Sequence, residues 1–273
     1  MVTHRRAGLS IVVLVAVAAA ACSGRSAPPP AAEARTPAAA AADAGQGQRG
    51  TAARVGCRNL PTASDLKEYL RRAPGEGGEA GGLFSGKLEW AAVVNRAGEI
   101  CAAAVATDDP ASAWPGGQAI AKAKAYTANA FSTDLQPMST ARLYTLAQPG
   151  HSLWGVDGPN AFNPGCLETP QNADKTDGKI CGGSIAFGGG VPLYKGRVRI
   201  GALGVSGDTA CTDHEIAKRI RHLAQLDPEK GPSADDIQYA SVHGPSIFTH
   251  PLCPNTWLNG KRVGDESPRA PGS

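Results

Sequence analysis

The chain has 273 residues, a formal net charge of +3 and only 5% aromatic residues. No basic stripe with interleaved aromatics occurs, which argues against nucleic acid as a partner. Beyond residue 22 no apolar run is long enough to cross a bilayer.

Residues 1–22 read as an export signal. His4, Arg5 and Arg6 precede the apolar run IVVLVAVAAAA, and small residues stand directly before Cys22. That ending is lipobox-like, with Cys22 as the lipidated first residue of the mature chain. Ala19 stands where leucine is usual, and a plain secretory signal is the alternative. Residues 23–54 are rich in Ala, Pro and Gly and cannot form a core, so they read as a disordered tether. A single folded domain is expected over 55–262, including a C-terminal extension, and 263–273 as a disordered tail. The implied location is the periplasm or outer cell envelope, with membrane attachment through the lipid.

Cysteine usage agrees with export. Beside Cys22 there are Cys57, Cys101, Cys166, Cys181, Cys211 and Cys253, an even set suited to three disulfides in an oxidising compartment. No CxxC spacing occurs, so a zinc ribbon is poorly supported. The polar loop between Cys166 and Cys181 has no other support, which makes these two a candidate pair. The other pairings stay open.

A helix is expected over 64–73, with Leu66, Tyr69 and Leu70 at helical spacing and Thr62 or Ser64 as its cap. Residues 87–106 form two apolar runs around Asn95-Arg96-Ala97-Gly98, a hairpin pattern. Residues 107–117 are loop. The helix over 117–132 places Ile120, Ala123, Thr127, Ala130 and Phe131 on one side. Lys124 falls at the edge of that face, where it either snorkels to solvent or points into a pocket, the former being the ordinary case. Residues 139–183 read as a long irregular loop, braced by cysteines and pinned by Trp154 and Phe162. Strands are expected at 184–187 and 198–205, followed by a helix over 209–226. A Thr212/Glu215 capping box starts that helix, and Ile216, Ile220 and Leu223 form its buried stripe. The remainder reads as extended segments.

Gly188–Gly190 is followed by Val-Pro-Leu rather than a helix, so it is not a phosphate loop. Ser206 lies in GVSGD, which lacks nucleophile-elbow spacing. Four ordered blocks then carry a resemblance: AWPGGQAIAKAKAYTANAFS (113–132), LYTLAQPGHSLWG (143–155), GGGVPLYKGRVRIGALGVSG (188–207) and TDHEIA (212–217). Over about residues 60–226 the chain resembles the GlcG/HbpS haem-binding family, formerly a domain of unknown function. The resemblance implies an α+β fold, with an antiparallel sheet of about five strands packed with helices. It also implies a haem or related ligand and a tendency to homo-oligomers. The glycine stretch would be a hairpin between two strands.

Haem iron takes His, Met, Cys or Tyr as axial ligand. A related family domain has a ligating histidine on its first helix; SDLKEYLRRA has none. His151, in the long loop beside Trp154, is the leading candidate for ligand and metal binding. His214 in the first turn of the last helix is weaker, because an imidazolium there opposes the helix dipole. His222 reads as exposed, His243 and His250 fall in the tail, and Met138 and Tyr144 are alternatives. The start of the last helix, with Ser206, Gly207 and Asp208, offers backbone N–H groups for a propionate, and Lys195 and Arg197 add charge. The leading function is a non-catalytic, envelope-anchored protein that binds haem or a small ligand. Alternatives are an enzyme acting on haem or a small organic acid, and an accessory subunit of an envelope oxidoreductase complex.

Overall fold

The computed structural model describes residues 56–169 and 178–268. The export signal, the Cys22 anchor, the tether and residues 269–273 of the expected tail lie outside them.

Helix α1 (Ala63–Arg72) is capped by Thr62, whose hydroxyl accepts from Asp65 N–H while the Asp65 carboxylate accepts from Thr62 N–H. This reciprocal pair satisfies two end groups that have no partner within the helix. Strands β1 (Trp90–Asn95) and β2 (Ile100–Val105) form the expected hairpin. Its turn closes through Gly98 N–H donating to Asn95 O at 2.9 Å, with Gly98 at φ +87. Helix α2 (Gly117–Phe131) follows, then strands β3 (Gly190–Lys195) and β4 (Val198–Ser206), then helix α3 (Ala210–Leu223). The main sheet is antiparallel in the order β2-β1-β4-β3. Four strands stand where about five were expected.

Side chains alternate across the sheet with period two, and both faces are covered. Trp90, Ala92 and Val94 pack with Ala121, Ala125 and Ala128 of α2. Ala91 and Val93 pack with Leu66 and Leu70 of α1 and Ile216 and Ile220 of α3. Covering both faces explains why β2, and β1 up to Asn95, are apolar instead of alternating with polar residues. Gly204 of β4 lies against the backbone of α2, where an added Cβ would overlap Ala121 O and Ala125 N. Small residues on both elements let the helix approach this closely.

The C-terminal extension packs beside α3. It comprises β5 (Gln238–Tyr239), α4 (Ala240–His243), β6 (Thr249–His250), β7 (Thr256–Leu258) and β8 (Lys261–Gly264). β5 pairs with β6 in parallel and β7 with β8 antiparallel, as two separate small sheets. Three disulfides join Cys57 to Cys101, Cys166 to Cys181 and Cys211 to Cys253, with Cα–Cα distances of 5.6, 5.7 and 5.9 Å. The candidate pair from the sequence is among them.

Several local expectations need correction. Residues 184–187 are not a strand: Gly190 begins β3, and the hairpin to β4 turns at Gly196, with φ +61, instead of the Gly188–Gly190 run. Gly188 and Gly189 are small because Ala210 O, Val205 O and Lys124 Nζ crowd their Cα atoms. On α2, Ala130 is exposed and Ile120 and Phe131 are only half-buried. The helix is enclosed on several sides, so it lacks a single apolar stripe. Thr209, not Thr212, caps α3, and Glu215 pairs with Arg219 and Lys218. Phe162 packs against the core beside Cys166 and Cys181, but Trp154 is 65% exposed and pins nothing.

Candidate functional site

Two places concentrate chemistry. The first is a buried charge centre between α2 and the start of α3. Lys124 is 0% exposed and its ammonium donates to Asp213 Oδ2 at 2.5 Å and to Val205 O at 3.0 Å. The snorkelling reading is therefore overturned. α2 is roofed on its outer side by the Phe187–Gly189 segment, and the Phe187 ring lies 5.0 Å from the Lys124 ammonium. A cation held over a ring and against a carboxylate is compensated for its lost water. Glu89 is also fully buried, and its carboxyl oxygens lack a hydrogen-bond partner among the described residues. Burial and the neighbouring Asp213 carboxylate push Glu89 well above the usual carboxylate range. The protonated form of Glu89 is favoured accordingly, beside the Lys124–Asp213 pair.

Asp213 also accepts from Gly207 N–H at 3.2 Å and Asp208 N–H at 2.9 Å. The Asp208 carboxylate accepts from the N–H groups of Leu83 (2.7 Å), Phe84 (2.8 Å) and Gly86 (3.1 Å). The backbone donors expected to face a propionate are thus turned toward the chain's own carboxylates, and Ser206 is buried at the end of β4. Lys195 donates to Asn59, and Arg197, largely exposed, pairs with Glu229. The structure does not bring these two to the start of α3.

The second place is a cleft of about 650 Å³ between the 144–151 segment and the C-terminal extension. Tyr144, Gln148, His151, Ser241, His250 and Leu252 are among its lining residues. This volume falls in the ordinary range for small-molecule sites. His151 is exposed at the rim, and its imidazole makes no hydrogen bond among the described residues. His250, buried, forms the inner wall with its ring 5.0 Å from that of Tyr144. Its Nδ1–H donates to Pro251 O at 2.7 Å, and its Nε2 accepts from Gly188 N–H at 3.3 Å. Burial pulls the His250 imidazole down to about 4, so it is neutral near pH 7.

Of the histidines weighed in the sequence, His151 and His250 meet in this cleft, while Lys124 and Trp154 are not among its lining residues. His214 is fully buried and meets the Asp236 carboxylate at 3.2 Å. Burial pushes Asp236 up, but His214 and Lys218 outweigh it and hold the group well below its usual value. His222 is exposed, as expected, and pairs with Asp227. Met138 does not line the cleft. Sequence reasoning gave no role to Glu89 or His250. A glutamate directly before an apolar strand looks like an ordinary strand flank. The one available signal for His250 was the segment THPLC, which places a histidine three residues from a cysteine.

A family model described as "Haem degrading protein HbpS-like" matches residues 85–221. A search of curated proteins finds no match. Among solved structures the chain is similar to Klebsiella pneumoniae protein ORFY, at 23% identity over 60% of this chain and 90% of that one, with a TM-score of 0.41. It is similar to PduOC in its complex with haem, at 22% identity over 62% and 97% of the two chains, TM-score 0.41. It is also similar to a double mutant of Streptomyces reticuli HbpS, at 18% identity over 60% and 86%, TM-score 0.35. The matched segment runs from the loop before β1 into α3 and takes in half of the residues, and the chain belongs to the HbpS-like family.

Proposed function

We propose that the protein binds haem, or a flat ligand of similar size, in the cleft between the 144–151 segment and the C-terminal extension, and does so without catalysing a reaction. The observation that carries this reading is the unpaired His151 imidazole at the rim of a 650 Å³ cleft in a chain of this family.

The residues present fit the group. Haem iron accepts His or Tyr as axial ligand, and the cleft offers both. His151 is the better donor for a ligand entering the cleft, because it is exposed at the rim while His250 is buried in the wall. Tyr144, Pro149, His250 and Leu252 provide flat and apolar surface for a macrocycle. No Lys or Arg is among the lining residues, so the ligand's carboxylates would lie toward the mouth, near Gln148 and Ser241. Haem held there supplies a redox-active iron, and the chain's part is to hold it, orient it and keep bulk water from its inner face.

Export, lipid anchoring at Cys22 and assembly into homo-oligomers belong to the same reading. Three disulfides suit an oxidising compartment and support the export part. The family's description as haem-degrading favours a second reading, in which the bound haem is consumed. Haem titration of the purified protein tests the first. A saturable Soret band that persists under reductant and oxygen supports binding alone; a band that bleaches with turnover supports degradation; no band refutes both.

A further inference from the structure

Just behind the wall of the cleft lies a second constellation. Cys211, His250 and Cys253 are all buried, and their ligand atoms lie within 4.8 Å of one another. Cys211 and Cys253 are joined as a disulfide. We propose that a dithiol reductant opens this disulfide and turns the cluster into a site for one thiophilic divalent cation such as Zn²⁺. Its ligands are the two thiolates and the His250 imidazole, with the fourth position facing the cleft. The reductant gives two electrons and two protons to the S–S bond and is itself oxidised to a disulfide. Metal binding then displaces both thiol protons to solvent.

Geometry supports the site. A tetrahedral zinc centre with bonds of about 2.3 Å to sulfur and 2.0–2.1 Å to nitrogen needs S···S of about 3.8 Å and S···N of about 3.6 Å. Ligand atoms already within 4.8 Å reach those separations by small side-chain shifts once the S–S bond is open. His250 is set up as a ligand. Its Nδ1–H is held by the Pro251 carbonyl, which fixes the tautomer that carries the lone pair on Nε2. Among the described residues that lone pair accepts only from Gly188 N–H, at 3.3 Å, a contact that the metal would replace.

The cysteines are also placed for thiolate chemistry. Cys211 stands in the first turn of α3, and its backbone N–H donates to Cys253 Sγ at 3.2 Å. A donor at a helix N-terminus stabilises a thiolate, and hence the reduced form of the pair. A second, independent observation is the Tyr239 hydroxyl. It is buried without a partner among the described residues, in the same packed cluster as Cys211 and Cys253, and its ring stands edge-on to His250. Buried hydroxyls are normally hydrogen-bonded, and this one stands beside the cluster without a partner among the described residues. The metal would also keep α3 tied to the C-terminal extension after the covalent link is lost.

The inference does not depend on haem, and its test uses none. The full chain is titrated with Co²⁺, a spectroscopic stand-in for Zn²⁺, before and after treatment with a phosphine reductant. The expected result is one equivalent of Co²⁺ with a thiolate-to-metal charge-transfer band, seen only after reduction and displaced by Zn²⁺. Cys211→Ser should abolish the band, and His250→Ala should weaken Co²⁺ binding by about tenfold or more. Paired Cys57→Ser/Cys101→Ser and Cys166→Ser/Cys181→Ser variants should keep the band. If substitutions at 211 or 250 prevent folding, differential alkylation of the reduced wild type decides. Zn²⁺ should protect Cys211 and Cys253 and leave Cys57, Cys101, Cys166 and Cys181 labelled. No band after reduction, a band that survives Cys211→Ser, or protection of Cys57, Cys101, Cys166 and Cys181 would overturn the proposal.

Discussion

Replacing Lys124 by methionine tests the buried charge centre directly. The variant keeps the length and most of the volume of the side chain but removes the ammonium 2.5 Å from Asp213. Asp213 then retains its two backbone donors at 2.9 and 3.2 Å and loses the one counterion it has among the described residues. Breaking one side of a buried pair costs about 3–5 kcal/mol, because the remaining charge is left without compensation. Against a total stability of about 5–15 kcal/mol for a domain, that is a large fraction. Burial already raises the Asp213 carboxyl, and Lys124 works against that rise. Without the lysine, Asp213 takes up a proton more readily, so the cost should shrink as pH falls from 7.5 to 5. Urea unfolding of wild type and Lys124→Met at both pH values measures this, with the m-value as a check on the unfolded state. The Lys124→Met/Asp213→Asn double variant should lose less than the sum of the two singles. A cost below about 1 kcal/mol at pH 7.5, or one that does not change with pH, would mean that the lysine reaches solvent.

Three further outcomes are expected. His250 is held at about 4 in the folded chain against an ordinary 6.5, so its contribution is complete above pH 6.5 and is lost as pH falls from there toward 4. The loss amounts to about 3 kcal/mol over that window, and His250→Phe should remove this part of the acid slope in chemical unfolding. Gly204→Ala should cost about 3 kcal/mol by thermal or urea unfolding, because its methyl group would overlap the α2 backbone; a neutral effect would contradict the close approach of helix and sheet. Removing the Cys166–Cys181 link, with 15 residues of sequence separation, should cost about 3 kcal/mol. The paired serine variant would show this in urea unfolding, and an unchanged midpoint would count against the brace.

The elements legible in the sequence were those marked by local chemistry. Asn95 and Gly98 announced the first hairpin, Thr62 the start of α1, and the Ala-rich spacing from Gly117 announced α2. What failed was set by tertiary surroundings. The glycines at 188–190 looked like a turn, yet their size answers to atoms of α3, β4 and Lys124 that only the fold brings close. Lys124 looked amphipathic because nothing local shows that Phe187 and Asp213, 63 and 89 positions further on, close over it. The α3 cap was misplaced by three residues because Thr212 and Glu215 fit a capping box as well as Thr209 fits a simple cap. Of the candidate site, His151 was singled out in the sequence because it stands in a long irregular loop beside Trp154. The opposite wall was not, because His250 reaches the cleft only through the pairing of β5 with β6 and the Cys211–Cys253 link.

The most direct test of the central claim is haem titration of the oxidised protein, followed by absorbance, with His151→Ala alongside. The cleft reading predicts a saturable Soret shift at one haem per chain that is lost or strongly weakened in His151→Ala, with the fold unchanged by circular dichroism. A flat titration of the wild type, or a Soret shift of equal strength in the variant, would contradict it.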